Sequence, residues 1–504
     1  MAFDTVDEHG YGGNYMIIAG LRSARGSSVA VIRDSILAFG TDIDDGVEPD
    51  HMQRLLSDQR FEIDEVDAWA LDDGPDARAD ADLTGVERRL ELPGPSRSST
   101  GYGHVACQLA AAYCSSPFAA AGAPSLVLVW DSGRSPLLYH VDDAGKVEPG
   151  GTLAAPPDAA LTALGGRLDG PRRAAGVPDG DIKESLREVF AAPGDGDFAD
   201  ELDKHAARLG AEPDDVAASA HELIADLLAE RLADRAREWI GGAAFNLCFT
   251  GSMALDIRWN GVLRAHPMVA AMWVPPFPGA SGTAFGAAAL RAGRGSGLRA
   301  IGWDLRCGPA ARRTNHVPAG WSVAPCRPEE LARLMHRTGR PAVVVAGRAK
   351  LGPRALGSRS ILAPATDAAT GALLDRLRAR GDCGPAAPLC RAERAADVFD
   401  PGFPDPFMQF EHHIREEWAD RLPALRGADR LQTVTLADDP VLATLLREYE
   451  IWSGVPVLCT AGGGGVIFAD AASAMQWGEI GLVWNDGVLY RRTAGLEADA
   501  REIR

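Results

Sequence analysis

Residues 347–362 read Gly347-Arg348-Ala349-Lys350-Leu351-Gly352-Pro353-Arg354-Ala355-Leu356-Gly357-Ser358-Arg359-Ser360-Ile361-Leu362. The stretch follows Ala342 to Ala346, an apolar run that reads as a strand. Arginine suits phosphate because its planar fork donates two parallel hydrogen bonds. Ordinary salt bridges are the alternative for these arginines. Lys350 is the only lysine in this half of the chain.

Outward from this stretch, periodicity predicts helices over Pro328–Thr338, Ala368–Arg380 and Val441–Ser453, a strand over Val455–Cys459 and a closing segment over Leu482–Arg491. Alternating helices and strands indicate an α/β fold. Gly302 to Ala324 reads as a linker. Upstream, Met16–Ala19, Val29–Ile32 and Ile36–Phe39 read as strands, with a tight turn at Arg33-Asp34. Val105–Tyr113 has helical spacing. Ser125–Trp130 is a buried strand ending at Asp131. A carboxylate there suits ligand chemistry at the carboxyl end of a strand, or simply caps a turn; both readings stand. Val216–Ile240 is an amphipathic helix, Asn246–Thr250 a strand, and Thr283–Ala292 a helix of small residues.

The chain has 504 residues, too many for one compact core. Its net charge of −19 and its lack of a basic stripe argue against a nucleic-acid partner. The eight cysteines contain no Cys-x-x-Cys pair, which argues against a zinc ribbon and for reduced, buried thiols. No basic-then-apolar leader opens the chain, and no apolar run reaches the ~18 residues of a membrane span. The expected location is the cytoplasm, away from membranes.

The 347–362 stretch resembles the GR-x-x-x-GPRALG-x-RSIL signature of the O-carbamoyltransferases that decorate antibiotics and nodulation factors. Further echoes lie at Cys114-Ser115-Ser116-Pro117-Phe118, Trp130-Asp131-Ser132-Gly133, Gly282-Thr283-Ala284-Phe285-Gly286-Ala287-Ala288, Arg430-Leu431-Gln432-Thr433-Val434 and Gly454-Val455-Pro456-Val457-Leu458-Cys459. The ending, at Ala471–Trp477 and Trp484–Gly487, resembles cephalosporin hydroxymethyl O-carbamoyltransferases most. The resemblance implies an actin-like ATPase-type domain over residues 1–310, which transfers the carbamoyl group. It implies a domain similar to threonylcarbamoyl-adenylate synthase over residues 325–504, which forms a carbamoyl adenylate from carbamoyl phosphate and ATP with magnesium. The acceptor would be a hydroxyl of a small metabolite. By the same resemblance Arg354, Arg348 and Arg430 are catalytic, and Arg354, Arg359, Arg378 and Ser360 bind nucleotide. His104 and Asp131 would contribute to a site for iron or another divalent metal. A homodimer or a pairing with a paralogue is expected.

Several family positions are altered. The His-x-x-x-His pair becomes His104 and Gln108, and the second aspartate of the metal site falls on Ala280. The His-Asp pair of the N-terminal loop becomes Arg25-Gly26, which removes an imidazole able to act as a general base. A lysine of the family has no counterpart in Thr41–His51. A phosphate-binding arginine becomes Gly384, and an Asn-Thr-Ser-x-Asn segment becomes Thr460-Ala461 with a glycine run from Gly462 to Gly465. These losses favour two alternatives: a repurposed acyl-adenylate enzyme, or a non-catalytic partner of an active paralogue.

Overall fold

The computed structural model describes residues 16–22, 27–43, 49–74, 83–90, 97–153, 176–191, 198–312, 314, 316–461 and 468–493. Arg25-Gly26 and the run Gly462–Gly465 lie outside them. The chain divides into two compact units. One comprises Ile17–Leu37 and Ile43–Trp303; the other comprises Ala38–Asp42 with the chain from Asp304 on.

The first unit contains strands β1 (Ile17–Arg22), β2 (Ser27–Arg33), the two ends of β3 (Ile36–Ile43), whose Ala38–Asp42 counts with the other unit, β4 (Ala68–Asp72), β5 (Val86–Leu90), β6 (Arg97–Tyr102), β7 (Ser125–Val129), β8 (Leu137–Val141), β9 (Val147–Thr152), β10 (Phe245–Thr250), β11 (Val269–Trp273) and β12 (Gly302–Trp303). One sheet has the order β12-β3-β2-β1-β4-β6-β5, the other β11-β10-β7-β8-β9. β1 runs antiparallel to β2 and parallel to β4. β7 runs parallel to β10. Residues 17–22 and 125–129 are buried throughout, as expected of strands covered on both faces.

Two helices fill the space between these sheets. His104–Cys114 is buried along its whole length, and Thr283–Ala292 through Leu290. A helix buried all round needs small residues where backbones meet. Gly286 shows why: a Cβ there would stand 1.8 Å from the Cys107 carbonyl oxygen. The long helix Pro213–Ile240 buries Leu223, Ile224, Leu228, Leu232 and Ala233, as its spacing predicts.

The second unit contains β13 (Trp321–Pro325), β14 (Ala342–Val345), β15 (Arg359–Pro364), β16 (Ala387–Arg391), β17 (Phe399–Asp400), β18 (His413–Ile414), β19 (Gln432–Val434), β20 (Val457–Ala461), β21 (Leu482–Asn485) and β22 (Val488–Arg492). Eight of them form one mixed sheet in the order β13-β22-β21-β14-β15-β20-β16-β19. Alternate residues point to opposite faces of a strand. Val343, Val345, Ile361 and Val483 accordingly enter one apolar core, and Ala342, Val344, Leu362 and Leu482 the other. Helices Pro328–Thr338 and Pro440–Ser453 cover the second face.

One expectation needs correction. Gly302 to Ala324 is not a free linker. Gly302–Trp303 pairs with β3, and Trp321–Pro325 with β22. Between them the backbone bonds to the signature: Leu351 N–H to Leu305 O, Ala349 N–H to Pro309 O, and Ala311 N–H to Gly347 O. Its Gly and Pro content suggested an open connection, but its amides found partners on the signature loop. The closing segment is a two-stranded hairpin, β21 with β22. All eight cysteines are buried and unpaired, and burial raises every one of their thiol pKa values. Among the described residues no helix is long and apolar enough to cross a membrane.

Candidate functional site

Chemistry-bearing residues gather at two places, one in each unit. In the first unit Asp72 ends β4 and Asp131 follows β7, so both carboxylates stand at the carboxyl ends of parallel strands. His104 opens the buried helix after Gly103. Its Nδ1 lies 2.9 Å from Asp72 Oδ2 and its Nε2 3.4 Å from Asp131 Oδ2. Arg22 at the end of β1 approaches Asp72 at 3.5 Å. Gln108, one helical turn after His104, donates Nε2–H to Asp131 Oδ2 at 2.8 Å. The backbone N–H of Ser252 donates to Asp131 Oδ1 at 2.7 Å.

Burial alone would lower the His104 pKa, but hydrogen bonding to Asp131 and Asp72 overrides it and raises the value to about 9. Burial would raise the Asp131 pKa; His104, the Ser252 amide and Gln108 instead hold it down at about 2. Asp72 is lowered by the same balance, with His104 outweighing burial. Charges in this cluster therefore answer one another.

The structure brings His104 and Asp131 together, as the sequence suggested, and adds Asp72, which the sequence reading missed. The signal was present: Ala68–Asp72 is a buried strand ending in a carboxylate, the pattern that singled out Asp131. As a divalent-metal site the cluster is a poor fit. Ala280 carries no donor atom. Gln108 turns its amide nitrogen to Asp131, and its Oε1 is buried without a partner. One imidazole nitrogen and one carboxylate remain, short of the three or four ligands a transition metal needs. Among the described residues no group of three or more His, Cys, Asp or Glu is placed to hold a metal.

In the second unit the signature loop joins β14 to β15. Leu356 has φ 46° and Gly357 φ 79°, a left-handed turn that glycine accepts without cost. The Leu356 carbonyl accepts bonds from Lys350 Nζ and, at 2.9 Å, from Gln432 Nε2. The Lys350 side chain is 5% exposed and lies 3.4 Å from Asp439 Oδ2, which also pairs with Arg306. Burial pushes the Lys350 pKa down to about 8, against the pull of Asp439. Asp439 in turn caps the helix Pro440–Ser453 by accepting the Leu442 N–H.

Arg354 donates through one guanidinium nitrogen to the Phe407 carbonyl and to Gln409 Oε1, both at 2.8 Å. Burial, then the nearby charge of Arg430, push its pKa down to about 10, so it stays cationic. Other arginines of the signature are directed elsewhere. Arg348 donates to the Gly308 and Cys307 carbonyls, and Arg359 to those of Pro309 and Ala469. Ser360 Oγ accepts the Gly357 N–H inside the loop. Arg378 sits half-buried in the last turn of the helix Ala368–Ala379, near Cys383. Of the predicted anion-binding residues, then, Arg354 and Arg430 share one neighbourhood. Arg348, Arg359 and Ser360 tie the loop to its surroundings.

With this geometry in place, comparison with known proteins is decisive. A profile described as "Carbamoyltransferase N-terminus" matches residues 95–163 and 194–289, and one described as "Carbamoyltransferase C-terminus" matches residues 333–462. The chain belongs to the carbamoyltransferase family. The chain is 33% identical to nodulation protein U of Sinorhizobium fredii, over 95% of its own length and 99% of the relative's. It is 30% identical to the 3'-hydroxymethylcephem-O-carbamoyltransferase of Streptomyces clavuligerus, over 72% of the chain and 67% of that protein. A ROK family protein from Streptococcus pneumoniae in complex with sucrose matches 55% of the chain and 98% of that structure at 14% identity, with a TM-score of 0.30.

Proposed function

We propose that this chain is an ATP-dependent carbamoyltransferase of antibiotic-type specialised metabolism, acting in the cytoplasm on a hydroxyl of a small metabolite. The observation that carries the reading is the half-buried Arg354 of the signature loop, held by Phe407 and Gln409 and near the charge of Arg430. Two guanidinium groups in one neighbourhood suit an anion, and phosphates of carbamoyl phosphate and ATP are such anions. In this reading carbamoyl phosphate gives up its phosphate to water, leaving carbamate. A carbamate oxygen then attacks the α-phosphorus of ATP, and pyrophosphate leaves. The acceptor oxygen next attacks the carbamoyl carbon of the adenylate, its proton passes to a base, and AMP departs. Magnesium enters bound to the nucleotide phosphates. The first unit, with its hairpin strands β1–β2–β3 beside the parallel β1–β4 pair, is read as the actin-like transfer domain. The second is read as the adenylate-forming domain, similar to threonylcarbamoyl-adenylate synthase.

The cephem relative's name puts a hydroxymethyl group among the acceptors to try first. Pyrophosphate release from ATP, measured with and without carbamoyl phosphate, tests the reading. Release that depends on carbamoyl phosphate supports it. None, beside an active relative, turns to a second reading, in which the chain is a repurposed acyl-adenylate enzyme or the non-catalytic partner of a paralogue. Arg348 and Arg359 favour that second reading, because their forks serve backbone carbonyls.

A further inference from the structure

We infer that the His104–Asp131 pocket works without a transition metal, because Gln108 and Ala280 together leave it short of donors. This concerns a cluster inside the first unit and holds whether or not the chain transfers carbamoyl groups.

The inference starts from hydrogen-bond inventory. A carboxylate accepts and does not donate, so the ring nitrogen at hydrogen-bond distance from Asp72 is the one that donates. His104 Nδ1 faces Asp72 Oδ2 at 2.9 Å, and its Nε2 faces Asp131 Oδ2 at 3.4 Å. A metal-binding histidine offers one nitrogen as a lone pair and donates from the other to an orienting group. Asp72 is such an orienting group, yet Nε2 is turned to a second carboxylate. The ring thus stands between two carboxylates, with Nε2 3.4 Å from Asp131.

Gln108 completes the exclusion. At its position a second imidazole, four residues on along the helix, would face the same pocket as His104. The amide instead donates to Asp131 Oδ2 at 2.8 Å. A flipped amide would set Oε1 against that carboxylate oxygen, so the donor orientation is the favourable one. Asp131 Oδ1 is held by the Ser252 amide at 2.7 Å. A carboxylate keeps spare lone pairs, so Asp131 by itself does not bar a cation. What bars it is the donor set: a neutral amide and Ala280 stand where an imidazole and a carboxylate would be needed. Arg22, 3.5 Å from Asp72, supplies the cluster's carboxylates with a cation from the chain itself.

The test is metal content. The full chain is produced in medium supplemented with iron and zinc, desalted, and analysed by elemental mass spectrometry. Equilibrium dialysis against Fe²⁺, Mn²⁺ and Zn²⁺ follows. The expected result is no stoichiometric metal in the parent and no rise in its melting temperature with any of the three ions. Gln108→His combined with Ala280→Asp restores the missing donors and should gain about one ion per chain, lost again when His104→Ala is added. Retention of about one ion per chain by the parent, abolished by His104→Ala, would overturn the inference. Should the double variant fold but take up no metal, the missing donors at positions 108 and 280 are not what excludes the ion, and the inference falls. The parent measurements stand even if that variant does not fold.

Discussion

The two clusters treat charge in opposite ways. Around His104 each cation has an anion against it: Arg22 on Asp72, and the imidazole between Asp72 and Asp131. Around Arg354 a second cation, Arg430, is close enough to lower its pKa, and Asp405 offsets only part of that. The first arrangement holds itself together and asks for no ligand charge. The second brings two guanidinium groups into one neighbourhood, which suits an anionic ligand. On the proposed function, phosphate would be handled at the second.

The largest expected effect tests the second cluster. Arg354→Ala should lower carbamoyl-phosphate-dependent pyrophosphate release by at least about 100-fold, in the range seen when a charge-stabilising donor is lost. Arg354→Lys should recover little, because an ammonium lacks the fork. Parent-level turnover in Arg354→Ala would erase the contrast between the clusters.

Next comes the first cluster's stability. His104→Ala leaves two carboxylates facing each other's former partner and should cost about 3 kcal/mol in urea unfolding. A loss below about 0.5 kcal/mol would show that the ion chain is not a stabilising unit.

A pH series sharpens the same point. His104 holds its proton more tightly folded, at about 9 against an ordinary 6.5, so its contribution is complete below pH 6.5 and is lost as pH rises through 9. Asp131 is held at about 2 against 3.8, so its contribution is complete above pH 3.8 and is lost as pH falls through 2. The unfolding midpoint should be flat between those limits and fall on both sides. In His104→Ala the alkaline fall should shrink.

The smallest effect concerns Arg378. Standing at a helix end near Cys383, it should tolerate Arg378→Ala with less than about a fivefold change in pyrophosphate release, about 1 kcal/mol. A loss matching that of Arg354→Ala would return Arg378 to the nucleotide site.

Much of this was legible in the chain itself. Apolar runs at Ser125–Trp130 and Ala342–Ala346 became buried strands, and the small-residue helix Thr283–Ala292 came out with its predicted limits. Local patterns of this kind report burial, which periodicity encodes. Long-range pairings do not show in a local pattern. Nothing around Leu305 to Ala311 announces that its amides will pair with Gly347 to Leu351, some forty residues on. Nor does a motif distinguish an arginine that grips a carbonyl, such as Arg348, from one held beside another charge, such as Arg354. Lys350 carries little weight in the sequence, because its place in the motif is a variable one in the family it resembles. Its role in holding the Leu356 carbonyl depends on Asp439, 89 residues away.

The eight buried thiols carry a practical consequence. All of them are less than a tenth exposed in the folded chain, and burial favours the unreactive protonated form of each. A thiol-specific dye would therefore stay colourless in native protein and report only openings of the chain. Cys107 and Cys114 would time the helix at the centre of the first unit, and Cys390 and Cys459 the sheet of the second. The molecule carries its own stopwatches, one set per unit, already wound in the natural sequence.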